Sequence, residues 1–188
     1  CFTFMTFQGA SLGVDIVAAN AVLMSFLMMI SYGMDGFAYA MEAMVGKAIG
    51  AKSKSQLSDS LIGTTFWSFI ISLILSLAFE FGGYQLISMI SSIETVQQTA
   101  LIYLPWLVAM PLVSMWCFLL DGIFVGATKG SEMRNSMFIA MLIFFTMWWL
   151  MQDYGNHALW AAMLSFMAMR GISLAITFSI QWRKAIFL

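Results

Sequence analysis

The charged residues of this chain lie far apart, and the stretches between them are long enough to cross a bilayer. The uncharged stretches include residues 16–34, 60–79, 95–120 and 135–152. A membrane-spanning helix needs about 20 mainly apolar residues. Only 9% of the chain is charged and 62% is hydrophobic, whereas about 25% of a soluble domain is charged. We therefore predict that the bilayer is the solvent of this chain.

The chain is predicted to form an all-α, polytopic transmembrane helix bundle with five complete spans and one partial span. The complete spans are residues 16–46, 60–79, 98–128, 135–152 and 158–182, and the partial span is 1–10. The chain opens on an apolar stretch that has no initiator Met, no charged n-region and no cleavage site. This opening does not resemble a signal peptide, so we expect the sequence to be part of a longer chain.

The basic residues collect in one set of loops. That set contains Lys47, Lys52, Lys54, Lys129, Arg134, Arg183 and Lys184. The other set contains Asp15, Glu80, Glu94, Asp153 and His157. Because Lys and Arg are enriched on the cytoplasmic side of membrane proteins, we predict that the first set of loops and the C-terminus are cytoplasmic.

Two of the predicted spans are longer than the bilayer is thick. A straight helix over residues 16–46 would measure about 46 Å, against a hydrocarbon core of about 30 Å. We expect it to tilt, to project into the cytoplasm, or to bend at the glycines that flank Asp35. The span 98–128 contains both prolines of the chain, Pro105 and Pro111. Each proline removes a backbone donor, so we expect this helix to be broken.

Four ionisable residues lie within predicted spans: Asp35, Glu42, Asp121 and Arg170. A charge at the bilayer centre costs at least about 2.5–3.5 kcal/mol on insertion scales, so such residues face a cavity or a partner. A carboxylate can also take up a proton, which is the chemistry that a proton-coupled carrier needs. Arg170 lies at mid-span and needs a counter-charge, either Asp121 or Asp35. We interpret Arg170 as a structural residue that holds the bundle together.

Helical periodicity groups these residues into two polar stripes that would line one cavity. The candidate residues for a cation or substrate cavity are Asp35, Tyr39, Glu42, Ser114, Asp121 and Thr128. The first three share one face of their helix, and the last three share a face of the proline-containing helix. An alternative for Glu42 is that it reaches the cytoplasmic edge by snorkelling.

The sequence offers little support for other classes of protein. The net charge of -1 and the pI of about 5.7 provide no basic footprint for nucleic acid. The chain has no HExxH, GxSxG or phosphate-loop motif, and its one histidine, His157, falls in an outer loop. The eighteen methionines are interpreted as apolar packing residues rather than as a copper relay. We predict neither an enzyme, nor a metal site, nor a cofactor.

Several segments resemble a known transporter family. Residues 17–24 (VAANAVLM), 35–43 (DGFAYAMEA) and 46–51 (GKAIGA) are similar to the eighth span of multidrug and toxic compound extrusion (MATE) transporters. The similarity is strongest to the DinF-like branch of that family. Three further segments resemble the same branch: residues 117–128 (CFLLDGIFVGAT), 132–137 (EMRNSM) and 155–160 (GNHALW).

The resemblance implies a protein of twelve spans in two lobes, located in the bacterial inner membrane. Such a protein exports small organic substrates, cationic ones included, in exchange for H⁺ or Na⁺. This chain would be the C-terminal lobe, partnered by the lipid bilayer and by an N-terminal lobe. We expect that lobe to be encoded upstream in about 250 residues with six or seven hydrophobic segments.

In DinF-like members, the best-supported coupling carboxylate belongs to the first span of the N-terminal lobe, so the resemblance implies that the chain alone should not transport. Asp35 and Asp121 are then candidates for a second cation site. Two alternatives stay open. A lipid-linked oligosaccharide flippase would need several basic residues in its cavity, where this sequence offers only Arg170. A non-transporting membrane scaffold would tolerate Asn at both acidic positions.

Overall fold

The structure is a computed structural model that describes residues 1–184. Its α-helices are α1 (Phe2–Leu12), α2 (Val14–Gly50), α3 (Lys54–Ile90), α4 (Glu94–Gly126), α5 (Gly130–Leu150) and α6 (Asn156–Arg183), with a short 3-10 helix at Gln152–Tyr154. In the described part of the chain, the five helices after α1 are long and apolar enough to cross a membrane. The predicted fold class is confirmed. The last residues of the C-terminus, 185–188, lie outside the described residues.

The helices α2 and α3 are both longer than the spans predicted for them, at 37 residues each. Helix α2 continues without interruption through Gly33 and Gly36, the glycines that flank Asp35. Helix α3 continues well beyond Glu80, because an exposed charge does not end a helix whose backbone stays paired. Its start is set by Ser53, whose Oγ accepts a hydrogen bond from the backbone N–H of Gln56.

The expectation that α4 is broken at its prolines is wrong. Helix α4 is continuous through Pro105 and Pro111. On α3, Ser76 donates a hydrogen bond of 2.7 Å to the backbone carbonyl of Val108, three residues before Pro111. In a membrane, hydroxyl side chains of neighbouring helices commonly pair with backbone groups near a proline. The hydrogen bond from Ser76 of α3 therefore satisfies a backbone carbonyl of α4 near Pro111, and α4 stays continuous there.

Helix α4 is central to the bundle and packs most extensively against α2. The contact is close because Gly122 and Gly126 have no side chains. A Cβ atom on Gly122 would clash with the carbonyl oxygen of Ala38, and one on Gly126 would lie 2.5 Å from the carbonyl oxygen of Glu42. Such small-residue contacts let membrane helices approach closely, where no hydrophobic effect drives them together.

A stripe of small hydroxyl residues on α3 faces the interior of the bundle. The stripe repeats every four residues and consists of Ser60, Thr64, Ser68, Ser72 and Ser76. Two of these hydroxyls lie against methionine sulfurs of α2: Thr64 Oγ1 is 3.7 Å from Met44 Sδ, and Ser72 Oγ is 3.5 Å from Met34 Sδ. Methionine thus contributes packing and a weak acceptor to this interface.

We expect cysteines placed at positions 55 and 154 to be labelled from opposite sides of the membrane. Ser55 is exposed in the first turn of α3, next to Lys54 of the predicted cytoplasmic set. Tyr154 is 67% exposed and lies next to Asp153 of the predicted outer set. In a background with Cys1 and Cys117 replaced, a membrane-impermeant maleimide should label Tyr154→Cys in intact cells. It should label Ser55→Cys only after permeabilisation. Labelling of both variants in intact cells would contradict the positive-inside orientation.

Candidate functional site

A buried ion pair joins α4 and α6. On α6, Nη2 of Arg170 donates a hydrogen bond to Oδ2 of Asp121 on α4. The two side chains are only 11% and 14% exposed. Cys117, one turn earlier on α4, places its Sγ 3.8 Å from the same carboxylate oxygen. The structure therefore gives Arg170 the counter-charge that it needs, and the partner is Asp121.

The pair leaves part of its hydrogen-bonding capacity unused. Among the described residues, neither Oδ1 of Asp121 nor Nε of Arg170 has a hydrogen-bond partner, although both atoms are buried. Asp35, on α2, lies close enough for its charge to repel that of Asp121. Counted together, Asp35, Asp121 and Arg170 carry a net negative charge when both acids are ionised. A buried cluster of this kind favours the uptake of a proton or a small cation.

Helix α2 presents a polar face beside this cluster. Asp35 and Glu42 are half-buried, while Tyr32 and Tyr39 are 73% and 69% exposed. Spacings of three, four and three residues place all four side chains on one side of the helix. We call this set, Tyr32, Asp35, Tyr39 and Glu42, the acidic-aromatic face. Carboxylates are costly against hydrocarbon, so this face is suited to a hydrated cavity or to another part of a longer protein.

The residues predicted from the sequence did not include Tyr32, although the helical repeat places it on the same face as Asp35. It lies three residues before Asp35 and seven before Tyr39, which is the spacing of one helical face. The predicted stripe on α2 is complete, whereas the stripe on α4 is present only in part. On α4, Ser114 is buried and its Oγ lies 3.5 Å from the carbonyl oxygen of Pro111.

Thr128 does not extend the stripe on α4. The helix ends at Gly126, and Thr128 adopts a left-handed conformation with φ of 57° in the turn that leads to α5. Its side chain is exposed, and its hydroxyl donates to the carbonyl of Ala127. Counting along an ideal helix placed this residue beside Asp121, but the change of backbone direction removes it from that face.

A second buried polar group lies at the opposite end of the bundle from the basic loops. Asn20 and Asn156 exchange two side-chain hydrogen bonds of 2.7 and 2.9 Å, which join α2 to the start of α6. The indole N–H of Trp160 donates to Asn20 at 2.9 Å. Nearby, Trp106 Nε1 donates to Nδ1 of His157 at 3.1 Å. These groups are already paired with one another, so we assign them to bundle assembly.

At the other end, a polar cluster fastens the α4–α5 turn to α6. Lys129 Nζ donates to Gln181 Oε1 at 2.6 Å, and Gln181 Nε2 donates to Glu132 Oε1 at 2.9 Å. Desolvation lowers the pKa of Lys129, and the nearby charge of Glu132 opposes that shift. The lysine remains within a hydrogen-bonded cluster at the membrane edge.

Five membrane-length helices around a buried ion pair define the class: a polytopic α-helical membrane protein. Residues 1–150 match the family model described as MatE. The chain is also 46% identical over 188 residues to the DNA damage-inducible protein F of Escherichia coli (strain K12). This chain belongs to the MatE family, and the family resemblance of its sequence is confirmed.

The alignment to the Escherichia coli protein covers 98% of this chain but only 40% of that relative. The chain thus spans well under half the length of the curated relative that it matches. No solved structure matches it. We therefore treat the activity of the full-length protein as a proposal.

Proposed function

We propose that the full-length protein containing this chain is a MATE-type secondary transporter of the bacterial inner membrane. It exports small organic compounds, including cations, in exchange for H⁺ or Na⁺, and this chain forms its C-terminal lobe. Family membership supports a transporter rather than an enzyme. The observation that carries the proposal is the acidic-aromatic face of α2.

The chemistry of that face suits organic cations. Tyrosine rings attract cations through their π-faces, by about 0.5–2 kcal/mol depending on how far the cation is desolvated. Tyr32 and Tyr39 flank Asp35 on α2, so one bound cation can contact an aromatic ring and a carboxylate together. The proposed second lobe would face this surface and complete a cavity that is closed to one side of the membrane at a time.

The two acids have different environments, and this suggests different roles. Asp121 is held by Arg170, so its charge is already balanced inside the protein. Asp35 has no salt-bridge partner among the described residues and belongs to the acidic-aromatic face. We therefore assign exchange of the coupling ion within this lobe to Asp35 and assign Asp121 to support of the bundle.

The test is efflux by the full-length transporter in proteoliposomes, driven either by a pH gradient or by a Na⁺ gradient. We expect Asp35→Asn to slow pH-driven efflux at least tenfold, the equivalent of about 1.4 kcal/mol in the barrier, because the amide cannot take up the coupling proton. Loss of only Na⁺-driven efflux would identify Na⁺ as the coupling ion.

The matched control is Asp15→Asn, because Asp15 lies on the same helix but is exposed in its first turn. This variant should behave as the wild type. If Asp35→Asn retains the full response to both gradients, the assignment of coupling to this lobe is wrong. Absence of efflux from the folded wild-type protein under either gradient would instead favour the scaffold alternative.

A flippase of the same superfamily receives no support from the geometry. Recognition of a pyrophosphate calls for several cationic groups in the cavity. Within the described spans, Arg170 is the buried cation, and Asp121 already neutralises it. We therefore retain export of small organic compounds as the proposed activity.

A further inference from the structure

An apolar groove runs along α6 and continues between α6 and α4. Its first section, of about 360 Å³, extends along α6 from Arg183 to Ile172. Its second section, of about 390 Å³, continues between α6 and Trp116 of α4. The sections share Ile172 and Ala175, so they form one groove. We call it the α6 groove.

The lining of the α6 groove is apolar along its length and cationic at one end. Isoleucines 172, 176 and 180 are each about half exposed. The polar side chains that line its first section, among those the structure describes, are Ser179 and Arg183. Within residues 1–184, no carboxylate lines either section. Arg183 lies at the end of the bundle that carries the basic loops, which is the predicted cytoplasmic side.

The length of the groove matches one leaflet of a bilayer. From Ala168 to Arg183 the helix rises about 22 Å at 1.5 Å per residue. Half of the hydrocarbon core measures about 15 Å, which leaves room for Arg183 at the level of the headgroups. A ligand for this groove would therefore need an extended apolar chain and, at one end only, a group that is attracted to a cation.

We propose that the α6 groove is a binding site for a phospholipid of the cytoplasmic leaflet. One acyl chain lies along the isoleucines of α6, and the phosphate contacts the guanidinium of Arg183. Charge complementarity favours an anionic lipid over an organic cation, because Arg183 repels a cation at the only charged end of the groove. The inference does not depend on the proposed transport activity, because lipid binding is measured without transport.

The test measures binding of dioleoyl phosphatidylglycerol to the full-length protein by native mass spectrometry, as a function of lipid concentration. We expect Arg183→Gln to weaken binding about fivefold, the equivalent of the ~1 kcal/mol that one basic residue contributes at an anionic surface. Arg134→Gln is the matched control, because Arg134 is an exposed arginine at the same end that does not line the groove. It should bind as the wild type does.

A second variant tests the acyl-chain part of the site. Ala175 lines both sections of the groove and is exposed, so Ala175→Trp should fill the groove without disturbing the interior. We expect it to weaken binding of the dioleoyl lipid at least fivefold, and dioleoylglycerol, which lacks phosphate, to bind the wild type more weakly than the phospholipid does.

Equal weakening by Arg183→Gln and Arg134→Gln would overturn the proposal, because it would indicate general attraction to a basic surface. Unchanged binding in Ala175→Trp would overturn it as well. So would binding of tetraphenylphosphonium that Ala175→Trp abolishes and that excess phosphatidylglycerol does not displace, because the groove would then select an organic cation. None of these results depends on whether the full-length protein transports a substrate.

Discussion

Replacing Arg170 with methionine in the full-length protein should lower its free energy of unfolding by about 3–5 kcal/mol, the cost of leaving one partner of a buried ion pair uncompensated. Methionine fills much the same volume, so the expected loss comes from charge rather than from a cavity. The carboxylate of Asp121 would lose the one guanidinium that balances it, while Asp35 would still repel it. The folded yield, measured by fluorescence-detected gel filtration, should fall steeply.

A double variant separates the charge effect from a general effect of mutation. Asp121→Asn combined with Arg170→Gln replaces the ion pair by two neutral amides that can bond to each other, so it should recover most of the lost folded protein. Arg134→Met removes an exposed arginine and should leave the yield unchanged. If Arg170→Met alone folds as well as the wild type does, the ion pair does not stabilise the bundle.

Replacing Gly122 with leucine should have the second largest effect. Its missing side chain lets α4 lie against the backbone of α2, where even a Cβ atom would clash with the carbonyl of Ala38. Overpacking of a well-packed core costs about 1–3 kcal/mol, and a backbone neighbour cannot move aside as a side chain can. We expect a cost of about 3 kcal/mol, seen as a lower melting temperature of the detergent-solubilised protein.

Gly63 offers a matched control for this substitution. It is also a helical glycine, but it is exposed on α3 and a Cβ atom there would meet nothing within 4 Å. Gly63→Leu should therefore melt at the wild-type temperature. Similar melting temperatures for Gly63→Leu and Gly122→Leu would show that the close contact between α2 and α4 is not needed for stability.

The spacing of charges was sufficient to predict the number of membrane helices but not their ends. The last two predicted spans, 135–152 and 158–182, lie close to α5 and α6. Helix α3 continues to Ile90, eleven residues beyond the predicted span end at Phe79, and Glu80 is exposed within it. A charge marks where a helix can meet water, whereas capping side chains and backbone turns decide where it ends.

The candidate site was predictable only where local spacing determines it. The shared face of Asp35, Tyr39 and Glu42 follows from the helical repeat, and the need of Arg170 for an acid follows from the cost of a buried charge. Which acid pairs with it depends on how α4 and α6 pack. The Asn20–Asn156 pair joins residues 136 positions apart, and no pattern within one helix indicates such a contact.

The glycine contact between α2 and α4 also determines how this lobe can respond to an ion. Because backbone touches backbone at Gly122 and Gly126, the two helices have no intervening side chains whose rotation would let them slide. Asp35 and Asp121 therefore lie on two helices whose backbones are in direct contact close to both acids. A proton arriving at one acid changes the electrostatic potential at the other rather than the distance between them. Any movement that follows has to occur where other helices pack against the α2–α4 pair.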